Sequence, residues 1–438
     1  MEHSLKYELC KMTISLKSGL CFIHGVLLTL AASNLVFLDF LGIFSGIVST
    51  TTFGLLFILF IFSSPSMRVR KVDIECQLLL ALMLLLALLS SFNNVSDYNF
   101  LYTFRDSIWL LFCISILFFD VNLRYFEGLT KITTLLMVLS LGVVVFLAWY
   151  LGISLKEVNI NVYKDLDQAS MLNKSSLTEQ FRFTLPGLNA NTTGTILLVN
   201  SLMIFCLLRD QYSKLSLSFY NLILLVLGFF FLATFSKTVL VLLVVSGALL
   251  AYGGLIKPTK LIFYSVAGVL VVWIVEPLVI YRLVSVYDLI VGTEIGDEFI
   301  GRTSNRSESL STSWQLISNN PFGMSFENYG EIARSSVGGG EHNNYIYMTI
   351  IYGIPFGILY FIFFLLVASK SFIAFKRQQK FMDPYSTRLS LLSLIIAVCI
   401  LLAQFVAPTP VYALILSSLC LLINKTVANE RALLSNHL

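Results

Sequence analysis

The residues best suited to chemistry in this chain are a glutamate and a histidine that stand together in front of an apolar segment. Glu341 and His342 lie in the stretch SSVGGGEHNNYIYMTIIYGIPFG, residues 335–357. Of the chain's four histidines, two are near the termini and one is inside an apolar segment, so only His342 lies in a predicted outer loop, at the entry to an apolar segment. A neutral imidazole accepts a proton near pH 7, which predicts a general base, with Glu341 as the alternative base. The competing interpretation is that His342 only caps the following helix, a role that Asn343 could also fill.

Five cations fall near the predicted outer ends of apolar segments or in the loops between them: Arg105, Arg182, Lys237, Arg302 and Arg306. Arg302 and Arg306 are four residues apart and would share one face of a helix. Lys237 sits at a very short turn, which would hold its ammonium at one depth. Arginine forks and lysine point charges on one side of a membrane suit a diphosphate. Snorkelling, solvation or contact with lipid headgroups are the alternatives.

The elements that must position these residues are apolar helices. The chain has 438 residues, of which 57% are hydrophobic and 12% charged, far outside the range of soluble domains. Runs of about 20 apolar residues are long enough to cross a bilayer, so we predict an all-α polytopic membrane protein. The predicted spans number about twelve, at roughly 18–38, 41–62, 76–92, 104–120, 131–152, 186–208, 217–235, 237–255, 261–281, 343–368, 389–406 and 411–424.

The distribution of charge predicts the orientation of these spans. When the sides alternate from an inner amino terminus, 19 of the 29 basic residues fall inside, which favours cytoplasmic termini. This arrangement leaves two long loops outside, at about 153–185 and 282–342. No linker divides the chain, so we predict a single integral membrane domain over residues 1–438. Long loops on one side of a membrane protein more often carry functional residues than serve only as connections.

The second long loop carries its own helix signal. Residues 301–323 have a helical pattern that Asn319, Asn320 and Pro321 should end. Leu310, Trp314 and Ile317 recur at helical spacing, which predicts one apolar stripe packed on the membrane surface.

Several classes of site are not indicated by the sequence. The seven cysteines fall in apolar spans or on the inner side and are interpreted as small core residues. The sequence has no phosphate-binding glycine loop, no nucleophile elbow and no His/Cys ligand cluster. We therefore predict no metal and no cofactor.

Three segments together resemble the O-antigen polymerase and O-antigen ligase superfamily of bacterial envelope glycosyltransferases. They are FRFTLPGLNANTTGTILLVNSL (181–202), FLATFSKTVLVLL (231–243) and the segment from 301 to 357. The last is similar to the family's order of Arg, Trp, Pro-Phe-Gly, His-Asn and Tyr-Gly. In the second segment, Lys237 stands where the family usually has arginine.

This resemblance implies a fold similar to the class C glycosyltransferases, in the bacterial cytoplasmic membrane. The implied reaction joins a sugar hydroxyl to a glycan on undecaprenyl pyrophosphate at the periplasmic face, with inversion. His342 or Glu341 would take the proton of the hydroxyl, and Arg302, Arg306, Lys237, Arg182 and Arg105 would hold the pyrophosphate. The implied partners are the lipid-linked oligosaccharide, membrane lipid and a chain-length regulator protein, and no nucleic acid is expected.

Polymerase is the first hypothesis, because the interval between Pro321 and His342 is shorter than ligases usually have. Ligase, which moves finished polymer to the lipid A core, is the second and uses the same chemistry. A flippase for lipid-linked oligosaccharide belongs to another class. Transport requires polar groups near the midplane and on both faces, whereas the charges here gather at one face.

Overall fold

The computed structural model describes 11 helices and, within those residues, no strand. The described residues are 74–93, 97–118, a few positions between 138 and 150, 190–208, 214–234, 237–257, 259, 310–335, 343–380, 383–405 and 410–435. The helices are α1 Ile74–Asn93, α2 Asp97–Phe118, α3 Ala190–Leu208, α4 Lys214–Ala233, α5 Lys237–Tyr252, α6 310–319, α7 Phe326–Ser335, α8 Asn344–Tyr352, α9 Ile354–Gln379, α10 Pro384–Ala403 and α11 Pro410–Ser435. The prediction of an all-helical chain is confirmed for this part of the protein.

Three helices, α1, α9 and α10, are long and apolar enough to cross a membrane. α1 and α9 each expose a row of large apolar side chains along one side, as expected for a surface that faces lipid. On α1 this lipid-facing row comprises Ile74, Leu78, Leu82, Leu85, Leu89 and Phe92. These helices support the prediction of a membrane protein.

Among the described residues the structure supports three candidate spans, fewer than the predicted number of about twelve. Further apolar helical segments lie at Asp106–Leu117 in α2, Thr193–Cys206 in α3, Thr238–Tyr252 in α5 and Ala413–Ala428 in α11. The predicted spans at 18–38, 41–62 and 261–281 lie outside the described residues.

The centre of the bundle is α10, which packs against α3, α5, α9 and α11 and is mostly buried. Two of its polar side chains, Ser393 and Cys399, contact neighbouring helices. Ser393 lies 3.0 Å from Ser371 of α9 and donates to the carbonyl of Cys420 on α11, and Cys399 lies 3.2 Å from Ser246 of α5. Such hydrogen bonds between apolar helices fix which faces meet.

The predicted span at 343–368 is not one helix. α8 ends at Tyr352 and α9 begins at Ile354, and the two helices fold back on each other as an antiparallel hairpin. Contacts pair Tyr345 with Phe361 near the open end and Tyr352 with Phe356 near the turn. Gly353 makes this reversal, with φ 91° and ψ 167°, a conformation open essentially to glycine alone. The predicted span therefore corresponds to α9, and α8 is a separate short helix beside it.

α1 and α9 run antiparallel, which defines two ends of the bundle. At one end Lys370 of α9 pairs with Glu75 of α1 at 3.0 Å, and further basic residues follow at the end of α9. We call this the basic end. At the other end the hydroxyl of Ser90 donates to the carbonyl of Ile351. The candidate site lies at this second end.

Candidate functional site

The predicted site residues are largely beyond the part of the chain that the structure describes. Glu341, His342, Arg182, Arg302 and Arg306 lie outside the described residues, as do the loop 153–185 and residues 282–309. Arg105 lies in α2 and Lys237 is the first residue of α5, and in both cases only the backbone is described. The assignment of these residues to catalysis and to pyrophosphate binding stays a prediction. The start of α8, at Asn343 and Asn344, is described in detail.

The helix that follows His342 is capped by Asn343. The Asn343 side-chain oxygen accepts from the backbone N–H groups of Tyr345, at 3.0 Å, and Ile346, at 3.3 Å. These are the amides that an N-cap side chain normally satisfies. The cap role considered for His342 is therefore filled by its neighbour.

Asn344 anchors the start of α8 to two other helices. Its backbone N–H donates to the carbonyl of Gln404, just after α10, at 2.8 Å. Its side-chain amide donates to the hydroxyl of Tyr360 on α9 at 2.8 Å and to the side-chain oxygen of Gln404. The Tyr360 hydroxyl in turn donates to Gln404 at 2.8 Å, which closes a ring of three polar groups. The residue two positions after His342 is thus fixed through both backbone and side chain.

The amide of Asn344 is not fully satisfied. The residue is 0% exposed, and its Oδ1 has no hydrogen-bond partner among the described groups. Turning the amide over would move the deficit to its nitrogen, because Tyr360 and Gln404 both lie on the same side of it. Leaving a buried polar atom unpaired costs about 1–3 kcal/mol. One buried acceptor atom at the start of α8 therefore has no described hydrogen-bond partner, two residues after the predicted base.

The Pro-Phe-Gly and Tyr-Gly motifs meet in one backbone contact, which we call the glycine junction (residues 320–324 and 350–354). The N–H of Ile354 donates to the carbonyl of Pro321 at 2.9 Å, and the N–H of Met324 donates to the carbonyl of Ile350 at 3.0 Å. A Cβ atom on Gly323 would lie 2.9 Å from the Gly353 nitrogen. Glycine is required at both positions because the two segments of the chain meet backbone to backbone.

A second polar pair lies beside the glycine junction. The hydroxyl of Tyr352 donates to Oδ2 of Asp106 on α2 at 2.7 Å, and Asp106 is 6% exposed. Phe326 of α7 covers Tyr352 with an edge contact at 5.9 Å between ring centroids. These contacts join α2, α7 and the end of α8. Helix α7 therefore packs against the bundle at the turn between α8 and α9.

We expect Tyr352→Phe to lower the free energy of unfolding by about 1–3 kcal/mol, because the substitution removes a donor from a buried carboxyl group. Asp106→Ala removes the acceptor of the same hydrogen bond, so we expect a loss of similar size. Thermal unfolding in detergent of the two single variants and the double variant forms a cycle, with an expected coupling of at least about 0.5 kcal/mol. Tyr150→Phe, at an exposed tyrosine, is the control. Additive losses would mean that the hydrogen bond contributes nothing to stability.

The sequence alone did not predict which polar residues meet around α8: Asn344, Tyr360, Gln404 and Tyr352. The available signal was the presence of polar residues inside apolar runs, where they need partners. Their partners are not identifiable from the sequence, since Asn344 and Gln404 are 60 residues apart and Asp106 and Tyr352 are 246 apart.

The fold defines the class of the protein as a helical membrane protein, with three candidate spans in the part of the chain that the structure describes. No family model matches the chain, and no curated protein matches it.

Proposed function

We propose that the protein is a polysaccharide polymerase that joins repeat units linked to undecaprenyl pyrophosphate, at the outer face of a bacterial cytoplasmic membrane. The observation that carries the proposal is the ordered series of motifs between residues 181 and 357. Two motifs of the series, Pro-Phe-Gly and Tyr-Gly, lie in backbone contact although they are about 30 residues apart. Two motifs that form one structural junction support the resemblance more strongly together than either motif does alone.

In the proposed reaction the acceptor sugar hydroxyl attacks the anomeric carbon of the lipid-linked glycan. A C–O bond forms, the bond to the pyrophosphate oxygen breaks, and the base takes the hydroxyl proton. His342 is the proposed base, with Glu341 as the alternative. Arg302, Arg306, Lys237, Arg182 and Arg105 are proposed to hold the departing pyrophosphate, whose negative charge fixed cations stabilise. The ring of Asn344, Tyr360 and Gln404 supports this assignment, because it fixes the backbone beside the base.

Lys237 offers a test of the proposed pyrophosphate contact. We expect Lys237→Ala to lower product formation by about two orders of magnitude, as when one preorganised charge partner is removed. We expect Lys237→Arg to retain most activity, because the positive charge remains at the start of α5. The measurement is product length on a gel at matched amounts of membrane protein. Full activity of Lys237→Ala would remove this residue from the proposed site.

The proposed function is tested by the lipopolysaccharide ladder of a strain that lacks the gene. If the lipid A core carries single repeats and no ladder, the missing step is polymerisation. If no repeat reaches the core while polymer collects on its lipid carrier, the protein is the ligase. Purified protein with lipid-linked repeats in a single compartment separates these enzymes from a flippase, since only an enzyme would lengthen the product.

A further inference from the structure

Helix α6 has three different sides, and each has a different composition. Successive residues of an α-helix are about 100° apart, so positions 313, 317 and 320 lie on one side. Ser313 and Ile317 are buried on that side, and Ile317 packs with Met324 and with Ile350 of α8. This side faces the protein.

The side next to the buried one is apolar and uncovered. Leu310 and Trp314, one helical turn apart, are 43% and 58% exposed. The predicted single stripe of Leu310, Trp314 and Ile317 is therefore wrong as one packed surface: Ile317 enters the protein, and the other two point away from it. Leu310 and Trp314 thus form a small uncovered apolar surface on this side of α6.

The third side of α6 is polar. Ser311, Thr312, Gln315, Ser318 and Asn319 are all exposed there. Going round the helix, the order is protein-facing, apolar exposed, then polar exposed. A helix in water at a protein surface needs only two such sectors. A helix that lies in a bilayer interface against its own protein needs all three, because it meets protein, acyl chains and water in turn.

The apolar side of α6 belongs to the same end of the bundle as the lipid-facing row of α1. That row ends at Phe92, which is 76% exposed, and Ser90, two residues earlier on the buried side of α1, donates to the carbonyl of Ile351 in the glycine junction. Phe322 of the junction is 69% exposed. Exposed aromatic side chains at the end of a membrane span are characteristic of the boundary between hydrocarbon and headgroups. The uncovered apolar surface thus continues from a span directly into the loop.

From this continuity we infer that α6 and the 320–324 turn lie in the membrane interface at the glycine-junction end, with Leu310, Trp314 and Phe322 inserted among the lipids. The occupant of this surface is the bilayer itself. α6 lies along the membrane plane, and its polar side faces the water. The inference does not depend on the proposed reaction, because it rests on exposure, on the packing of α6 against α8 and on the position of the 320–324 turn beside α1.

The test is fluorescence quenching of the full-length protein in phosphatidylcholine vesicles, made with either normal or acyl-brominated lipid. The chain has four tryptophans, so the signal of Trp314 is taken as the difference between the wild-type protein and Trp314→Phe. We expect brominated lipid to quench more than half of this difference, and aqueous iodide to quench little of it. The emission of the difference spectrum should be shifted to short wavelength.

Gln315→Trp in the Trp314→Phe background is the matched control, because it moves the indole to the polar side of the same helix. Its signal should be quenched by iodide and spared by brominated lipid. Three results would overturn the inference: quenching of Trp314 by iodide alone, which places α6 in water; protection from both quenchers, which means that another protein surface covers it; and equal behaviour at positions 314 and 315, which means that the helix is not oriented.

Discussion

His342→Ala is expected to abolish polymer formation while the protein still accumulates in the membrane at a normal level. The expected fall in rate is at least about 100-fold, the usual contribution of a positioned general base. The fold should survive because the start of α8 does not depend on the imidazole. Asn343 caps the helix, and Asn344 fixes it to Tyr360 and Gln404. The measurement is the lipopolysaccharide ladder of a deletion strain that carries the variant gene, with an immunoblot of the membrane fraction.

Asn343→Ala is the matched control for this variant. It removes the cap, which should cost about 1 kcal/mol of stability, and it leaves the proposed base in place. We expect a ladder of near-normal length with somewhat less protein. Glu341→Gln distinguishes the two proposed bases, since it should be tolerated if His342 takes the proton. A complete ladder from His342→Ala at equal protein level would refute the assignment of the base.

Gly353→Ala is expected to be, together with Gly323→Ala, one of the two most damaging substitutions among the described glycines. An added Cβ would lie 2.7 Å from the backbone carbon of Phe322 and 2.8 Å from the carbonyl oxygen of Pro321. These are backbone atoms, which cannot move aside as a flexible side chain can. The φ of 91° adds a further penalty of about 1–3 kcal/mol for any residue with a Cβ. We expect the glycine junction to open and the free energy of unfolding to fall by about 3–5 kcal/mol.

Two other glycines separate the causes of this effect. Gly254→Ala, with φ 75° and no atom within 4 Å of the added Cβ, should show the conformational penalty alone. Gly228→Ala, in helix α4 with open space around it, should be neutral or stabilise slightly. Thermal unfolding in detergent, followed by loss of monodisperse protein, gives the order of the three. If Gly353→Ala unfolds no earlier than Gly254→Ala, the backbone contact with Phe322 and Pro321 does not stabilise the protein.

Helix type and many helix ends were predictable from the sequence. The apolar runs at 76–92, 389–406 and 411–424 correspond to α1, α10 and α11. Asn319, Asn320 and Pro321 end α6 as predicted, because asparagine and proline act on their own backbone and on the preceding turn. These features depend on residues that are close together in the chain, so no tertiary information was needed.

Which apolar helices face lipid was not predictable in the same way. Apolar composition is shared by a helix that faces lipid and by one that is buried in protein, and hydropathy does not separate them. α9 exposes a row of large apolar side chains, whereas α10 of equal hydropathy is mostly buried. The break at Gly353 was also missed, because the residues on both sides of it are apolar and fit one continuous run.

The sequence by itself determined that this protein is helical and membrane-bound, which segments are apolar, and where Gly and Pro interrupt them, because hydropathy and turn propensity are local properties. Only the tertiary structure decided that the Pro-Phe-Gly and Tyr-Gly turns share one junction, that Asn344 meets Tyr360 and Gln404, and that Asp106 meets Tyr352. The physical reason is that a buried polar group requires a hydrogen-bond partner, and a glycine in a close backbone contact requires a second segment beside it. Which distant residue fills that position depends on how the helices pack.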